Sequence, residues 1–153
     1  MAENRMTRLV SRYMTEEVMW TAPGAPLAKV IERMNLERIR HVLVVEPMAV
    51  GADLRIARSA VLGILSSRDV LRELEAHPDE GVKLSDYSVK DVMTPTPLVT
   101  IGPGEELAEA ARLMLGKRIS ALPVLTDGEA VGIITTDDIL LAGSLIETVD
   151  DSA

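Results

Sequence analysis

An internal repeat constrains this chain more than any other feature of its sequence. Met14-Thr15 recurs as Met93-Thr94, and residues 26–34 recur as 106–114 at an offset of 80. In both longer segments, apolar residues fall at the i, i+3, i+4 and i+7 positions of an amphipathic helix. They are Leu27, Val30, Ile31 and Met34, and Leu107, Ala110, Ala111 and Met114. The repeat predicts one pseudo-symmetric module built from two similar copies.

Each copy continues with a short apolar run, 41–45 in the first and 121–125 in the second, which we interpret as a buried strand. Residues 61–71 then match 130–140, so the offset falls to 69 and eleven extra residues lie in the first copy, within 46–60. The sequence pattern of each copy therefore predicts an extended segment, a helix, a strand, a hairpin, a second strand and a second helix, in that order. This order indicates an α/β (α+β) fold.

The extra residues at 46–60 lie where the second copy has only the Gly-containing turn 126–129, which predicts a tight hairpin. Because surface loops tolerate insertion, we expect the core not to depend on this excursion; residues 54–57 are a candidate strand extension. The predicted organisation is an N-terminal lead (1–9), repeat 1 (10–74), a linker (75–88), repeat 2 (89–142) and an acidic C-terminal tail (143–153).

Composition limits the classes of function. Hydrophobic residues make up 47% of the chain and Phe is absent, so a core is expected and must be aliphatic. The net charge of −8 argues against binding of nucleic acid. The absence of Cys excludes thiol nucleophiles, disulfides and thiolate metal sites. No apolar run approaches 18 residues and no signal peptide is recognisable, so we expect a cytoplasmic protein without a membrane segment.

The most informative residues lie at the ends of the second strands, in the matching segments 63–69 and 132–138. Each strand ends in a hydroxyl, and a carboxylate follows three residues later. The hydroxyls are Ser66 and Thr135, and the carboxylates are Asp69 and Asp138. This spacing is typical of a capping box. It also fits a helix N-terminus that binds a phosphate, with a carboxylate for the ribose hydroxyls. Both interpretations remain open.

In their order, residues 89–94, 119–124 and 132–138 resemble a CBS domain, and the first copy resembles a more divergent one. Two in tandem resemble a Bateman module, over about residues 10–142. The resemblance implies two β-α-β-β-α-type repeats packed through their sheets, with clefts between them that bind adenine nucleotides.

The resemblance also implies a set of nucleotide-binding residues. Asp69 and Asp138 would hold ribose, and Ser66 and Thr135 would contact phosphate or ribose. Segments 18–20 and 98–100 would cover the base. The candidates are Trp20, Arg40, His41, Ser66, Arg68, Asp69, Thr100, Ser120, Ala121, Thr135 and Asp138.

The two copies differ at several of these positions. Arg40 and His41 stand where the second copy has Ser120 and Ala121, Glu16-Glu17 replace Pro95-Thr96, and Asp137 replaces Arg68. The differences predict unequal sites. We expect the copy with Arg68 to favour AMP or ATP, and the copy with Asp137 to favour a less anionic adenosyl ligand.

We therefore predict a non-catalytic regulatory module that binds an adenine nucleotide (AMP, ADP or ATP) as a regulatory ligand, without a catalytic cofactor. His41 and His77 have no metal-ligand spacing and no companion nucleophile, so neither a metal site nor a catalytic triad is predicted. Two alternatives stay open: a ligand-free scaffold for dimerisation or protein interaction, and binding of S-adenosylmethionine. A homodimer is expected, with an unidentified target protein as a further partner.

Overall fold

The computed structural model describes residues 8–53, 55–78, 81 and 83–151, with side chains described through Gly143. The chain divides into two compact units. The first unit is Val18–Leu98, and the second joins Met1–Glu17 to Val99–Ala153. Each unit therefore holds one copy of the repeat together with the leading segment of the other copy. The sequence predicted the two copies but not this exchange of leading segments.

The helices and strands follow the predicted order, and the mixed α/β (α+β) class is confirmed. They are α1 (Val10–Tyr13), β1 (Trp20–Thr21), α2 (Leu27–Glu37), β2 (His41–Val45), β3 (Ile56–Ala57), β4 (Val61–Ser66), α3 (Ser67–Ala76), β5 (Thr94–Pro95), α4 (Leu107–Lys117), β6 (Ala121–Thr126), β7 (Glu129–Thr135) and α5 (Thr136–Asp151). Among the described residues, no helix is long and apolar enough to cross a membrane.

The first unit contains a sheet in the order β1-β2-β4-β5. Strand β1 runs parallel to β2, whereas β2, β4 and β5 pair antiparallel. The amphipathic α2 buries Leu27, Val30 and Met34, as its apolar spacing predicted, and Ile31 packs at the margin of the same cluster. The cluster also contains Val42, Val44, Leu65, Val70 and Val89.

The second unit is built around the antiparallel hairpin of β6 and β7. Its turn residues Asp127 and Gly128 both have positive φ, 50° and 77°. Two left-handed residues are what a tight two-residue hairpin turn requires, and the predicted turn is confirmed. The aliphatic core of this unit consists of Val10, Ile101, Leu107, Ala110, Met114, Leu122, Val124, Ile134 and Ala142.

The two leading Met-Thr segments each cross a glycine of the unit they join. Thr94 in β5 lies beside Gly63, and Thr15 exchanges two backbone hydrogen bonds with Ile133, next to Gly132. A Cβ on Gly63 would stand 2.5 Å from the Thr94 carbonyl oxygen, and one on Gly132 would stand 2.8 Å from that of Thr15. Glycine is therefore required at both crossings.

The insertion is not uniformly external. Met48 is 91% exposed, whereas Ile56 and Ala60 are only 5% and 2% exposed. The expectation that the core is independent of the whole excursion is therefore wrong for its second half, because Ile56 is an interior side chain. Leu54, the first residue of the candidate extension 54–57, lies outside the described residues, and a strand forms at Ile56–Ala57.

The outer segments of the predicted organisation are only partly described. Residues 1–7 of the lead, 79, 80 and 82 of the connection, and 152–153 of the tail lie outside the described residues, as do the side chains of 144–151. Helix α3 continues to Ala76 and α5 continues to Asp151, so helical backbone extends into the stretches predicted as linker and tail.

Candidate functional site

The junction between β4 and α3 is closed by a capping box. The Asp69 N–H donates to Ser66 Oγ at 3.1 Å, and the Ser66 N–H donates to Asp69 Oδ2 at 2.9 Å. These bonds satisfy two backbone donors at the start of the helix and hold both side chains there. One of the two interpretations that the sequence left open, capping, is thus present in this copy. The bonds also fix the carboxylate at the helix N-terminus, as the binding interpretation requires.

Asp69 is nearly buried, at 8% exposure, and has further partners. Thr94 Oγ1 donates to Asp69 Oδ1 at 3.2 Å, and Arg72 Nη1 lies 3.8 Å from the same oxygen. Both carboxylate oxygens are therefore engaged. Sequence reasoning missed Thr94 and Arg72 as neighbours of Asp69, although the recurrence of Met-Thr in both copies was a signal that the leading segment matters.

The junction between β7 and α5 has a different hydrogen-bond pattern. The Thr135 N–H donates to Asp138 Oδ2 at 2.8 Å, and Thr135 Oγ1 donates to the same oxygen at 3.1 Å. The hydroxyl is thus a donor here, whereas Ser66 Oγ is an acceptor in the other copy. Asp138 Oδ1 accepts no hydrogen bond from the part of the chain that the structure describes.

The electrostatic surroundings of the two carboxylates also differ. Burial raises the pKa of Asp138 above its ordinary value of 3.8, the two Thr135 hydrogen bonds oppose this, and the charge of Asp137 raises it further. At the first junction, Arg68 and Arg72 occupy the positions of Asp137 and Leu141. The first junction is therefore cationic and the second acidic.

Strand register brings four more predicted residues to these junctions. His41 lies opposite Ser66 in the sheet, and the Arg40 carbonyl accepts from the Ser67 N–H at 3.0 Å. In the second unit, the residues at the matching positions are Ala121, which lies opposite Thr135, and Ser120, whose carbonyl accepts from the Thr136 N–H at 3.0 Å. Each unit thus assembles a strand start, a strand end and a helix N-terminus at one place.

Trp20 and Thr100 lie farther from the junctions. Trp20 pairs with Leu43 in β1, on the side of β2 away from β4. Thr100 precedes Ile101, which pairs in parallel with Val124 of β6. Neighbouring strands are about 4.8 Å apart, and Trp20 and Thr100 are two strands away from β4 and β7, which end in Ser66 and Thr135. Both residues therefore lie roughly 10 Å from the strand that carries the hydroxyl. Both are half-buried, and a ligand would have to extend across one strand to contact them.

The histidines occupy unrelated places. His41 begins β2, and His77 follows α3 with its Nε2 3.3 Å from Glu73 Oε1. Within the described ranges, no group of three His, Asp or Glu side chains is arranged to hold a metal ion.

Comparison with known proteins agrees with this pseudo-symmetric construction. A family model described as the CBS domain matches residues 10–76 and 89–144. The chain belongs to the CBS-domain family. A relative from Methanocaldococcus jannaschii, the uncharacterised protein MJ1225, is 38% identical over 136 residues, which cover 88% of this chain and 43% of that protein. The chain spans about half the length of the curated relatives that it matches, between 42% and 55% for four of them.

Solved CBS structures have the same fold. The CBS domain pair of MJ0100, in complex with 5′-methylthioadenosine and S-adenosylmethionine, superposes with a TM-score of 0.69 at 21% identity, covering 89% of this chain and 97% of that one. The hexameric CBS-CP12 protein from bloom-forming cyanobacteria gives a TM-score of 0.72 at 24% identity, covering 91% and 73%. The resemblance to a CBS pair that the sequence motifs indicated is confirmed.

Proposed function

We propose that this CBS pair is a non-catalytic regulatory module that binds adenosyl compounds at its two strand-to-helix junctions. The observation that carries the proposal is the recurrence of one arrangement in both units. A hydroxyl, a carboxylate held at a helix N-terminus and the start of a neighbouring strand come together at each junction. The complex of the MJ0100 CBS pair with two adenosyl compounds supports the same ligand class.

The chemistry of each junction suits recognition. A carboxylate accepts hydrogen bonds from ribose hydroxyls, and the free N–H groups of a helix N-terminus favour a phosphate or another anionic group. Ser66 and Thr135 anchor their carboxylates through backbone N–H groups, so each acceptor is oriented before a ligand arrives. Preorganised acceptors of this kind favour binding because little side-chain entropy is lost.

The charges at the two junctions favour different members of the adenosyl class. Arg68 and Arg72 make the first junction favourable for AMP, ADP or ATP, whereas Asp137 makes the second favourable for a less anionic compound such as S-adenosylmethionine. A unit charge about 6 Å from a ligand charge contributes about 3 kcal/mol at an effective dielectric of 20, before salt screening. Half of that is already about tenfold in affinity.

Calorimetric titration of ligand-stripped protein tests the proposal. AMP, ATP, adenosine and S-adenosylmethionine are titrated into the wild type and into Asp69→Ala and Asp138→Ala variants. We expect micromolar binding of at least one compound, and each variant should lose one site. Glu32→Ala removes an exposed carboxylate of α2 and is the control. If no adenosyl compound binds below millimolar concentration, the alternative of a ligand-free scaffold replaces this proposal.

Self-association is the second candidate function, and exposed leucines favour it. Leu71 of α3 and Leu140 and Leu141 of α5 are 57%, 70% and 57% exposed. Leu71 and Leu140 occupy matching positions of the two copies, so two similar helices present apolar side chains to solvent. A homodimer that covers them is consistent with the hexameric state of the CBS-CP12 protein. Light scattering should give twice the 16.6 kDa chain mass. A monomer mass for the wild type at micromolar concentration would contradict a homodimer. If the wild type is a dimer, Leu140→Glu should shift the measured mass toward that of the monomer.

A further inference from the structure

The hydroxyl of Thr94 bonds to Asp69, whereas no threonine of a leading segment bonds to Asp138 among the residues that the structure describes. Thr94 Oγ1 lies 3.2 Å from Asp69 Oδ1. At the second junction, the residue in the place of Thr94 is Thr15, whose backbone pairs with Ile133 as the backbone of Thr94 pairs with Ile64. Within the described residues, Asp138 accepts only from Thr135, and both bonds fall on Oδ2.

This asymmetry changes the number of hydrogen bonds that a ribose gains at each carboxylate. Two adjacent ribose hydroxyls bind a carboxylate best through both of its oxygens. At Asp138 no group in the described ranges donates to Oδ1, so an arriving hydroxyl adds a hydrogen bond. At Asp69 the same oxygen already accepts from Thr94 Oγ1 at 3.2 Å and has Arg72 Nη1 3.8 Å away, so a ribose hydroxyl must crowd beside the Thr94 hydroxyl or displace it. The net gain from such an exchange is small compared with the gain from a new bond to a charged acceptor.

We propose that the Thr94 hydroxyl is an internal competitor for Asp69, so that the ribose of an uncharged nucleoside, which lacks a phosphate for Arg68 and Arg72, occupies Asp138 before Asp69. This inference rests on the proposed function. Thr94 lies in the two-residue edge strand β5 and is exposed, so rotation about its χ1 releases Asp69 while the backbone pairing of β5 stays intact. Binding at Asp69 is therefore coupled to the rotamer of Thr94, and binding at Asp138 is not.

Adenosine is the probe that isolates this effect. It carries no phosphate, so the opposite charges of Arg68 and Asp137 contribute little to the comparison. In an Asp138→Ala background, binding reports on the Asp69 site, and adding Thr94→Val removes the competing hydroxyl with little change in shape. We expect calorimetry to show that this addition tightens adenosine binding about tenfold. Thr94→Ser retains the hydroxyl and should leave the affinity near that of the Asp138→Ala parent.

The matching threonine supplies the control. In an Asp69→Ala background, binding reports on the Asp138 site, and adding Thr15→Val should change adenosine affinity less than twofold. The parent Asp69→Ala should also bind adenosine more tightly than the parent Asp138→Ala. Thermal melts verify that every variant is folded, and Thr94→Ala replaces Thr94→Val if the valine variant does not fold.

The outcomes separate this inference from the proposed function. If both parents bind adenosine but Thr94→Val has no effect, Thr94 only anchors β5 and the competition is overturned. Tighter binding at Asp69 than at Asp138 would overturn the order of occupancy. If neither the wild type nor any variant binds adenosine or another adenosyl compound, the proposed function fails and the inference fails with it.

Discussion

Asp138 makes the stability of the fold depend on pH, because burial raises the pKa of its carboxyl above 3.8. Between the unfolded and folded pKa values, the folded chain holds this proton more tightly than the unfolded chain does. Stability therefore falls as pH rises through that window, and the penalty is complete above the folded pKa. We expect Asp138→Asn to gain stability relative to the wild type as pH is raised from about 4 toward neutrality. Urea unfolding in pH steps measures this difference.

Asp91 is the control of opposite sign. The Ser88 N–H and hydroxyl, and to a lesser degree the charge of Lys90, lower the pKa of this exposed carboxyl below 3.8. Its stabilising contribution is present above the unfolded pKa and is lost as pH falls through the folded one. Asp91→Asn should therefore lose stability relative to the wild type as pH rises. Parallel profiles for Asp138→Asn and the wild type would contradict the assignment at Asp138.

The glycines at the Met-Thr crossings leave no room for a side chain. In Gly63→Ala, the new methyl would meet the Thr94 backbone oxygen, which cannot move without disturbing β5. We expect a loss of about 1–3 kcal/mol in the free energy of unfolding, as for other overpacked sites. Gly116→Ala in α4 is the control, because its added methyl would have no heavy atom of the described residues within 4 Å apart from its chain neighbours and the backbone of its own helix. That variant should gain up to about 1 kcal/mol. Equal effects of the two variants would show that the crossing is not tight.

Helices α2 and α4 end in the same uncommon way. Arg38 and Arg118 both have φ of 56°, the left-handed region in which a helix usually places glycine. A residue with a side chain destabilises the fold by about 1 kcal/mol in this region. Glycine removes this steric cost, although its greater conformational freedom in the unfolded chain offsets part of the gain. We expect Arg118→Gly to raise the free energy of unfolding by about 0.5–1 kcal/mol.

Lys117→Gly is the matched control for Arg118→Gly, since Lys117 is the last residue of α4. Glycine there should cost about 1 kcal/mol. Chemical denaturation of the two variants decides the question, and a loss of stability in Arg118→Gly would show that the arginine side chain itself supports the helix end.

The insertion divides into two parts with different expected effects. Removing the exposed Met48 side chain in Met48→Ala should leave the melting temperature nearly unchanged, because that side chain is 91% exposed. Ile56→Ala should cost about 2–4 kcal/mol, since Ile56 is 5% exposed and its deletion leaves a cavity. Thermal and urea unfolding measure both variants. If Ile56→Ala were as mild as Met48→Ala, the whole excursion would be dispensable, as the sequence first indicated.

The elements that could be predicted from sequence are those specified by local periodicity. The apolar stripe that ends in Met34 predicted α2, and the apolar run 41–45 predicted β2, because the spacing of apolar residues shows which face of an element is buried. The bond between Thr94 and Asp69 could not be predicted, because it joins residues 25 apart through a two-residue strand. Such a strand is too short to have a periodicity. The left-handed Arg118 also has no sequence signal, since arginine is not favoured there.

The unequal charge of the two strand-to-helix junctions predicts different affinities for phosphorylated ligands. In an Asp69→Ala background, Asp137→Arg gives the second junction the charge that the first has at Arg68. We expect AMP affinity to rise about tenfold, with little change for adenosine, because the added attraction acts on the phosphate. Calorimetry at two salt concentrations measures it, and the gain should shrink at high salt. Glu32→Arg, the same charge change on α2, is the control. Equal gains in both variants would contradict a local effect.

The exchange of leading segments has a consequence for the order in which the chain can fold during synthesis. Val18–Leu98 is continuous, so all residues of this unit are available once Leu98 has left the ribosome. Val10, which belongs to the core of the second unit, and Thr15, which pairs with Ile133, are made well before those partners. At about 5–20 residues per second, they wait several seconds for their partners. The segment that holds Val10 and Thr15 is thus among the last described parts of the chain to find its partners, and the Val10 side chain, which is fully buried in the folded unit, stays in contact with water during that interval.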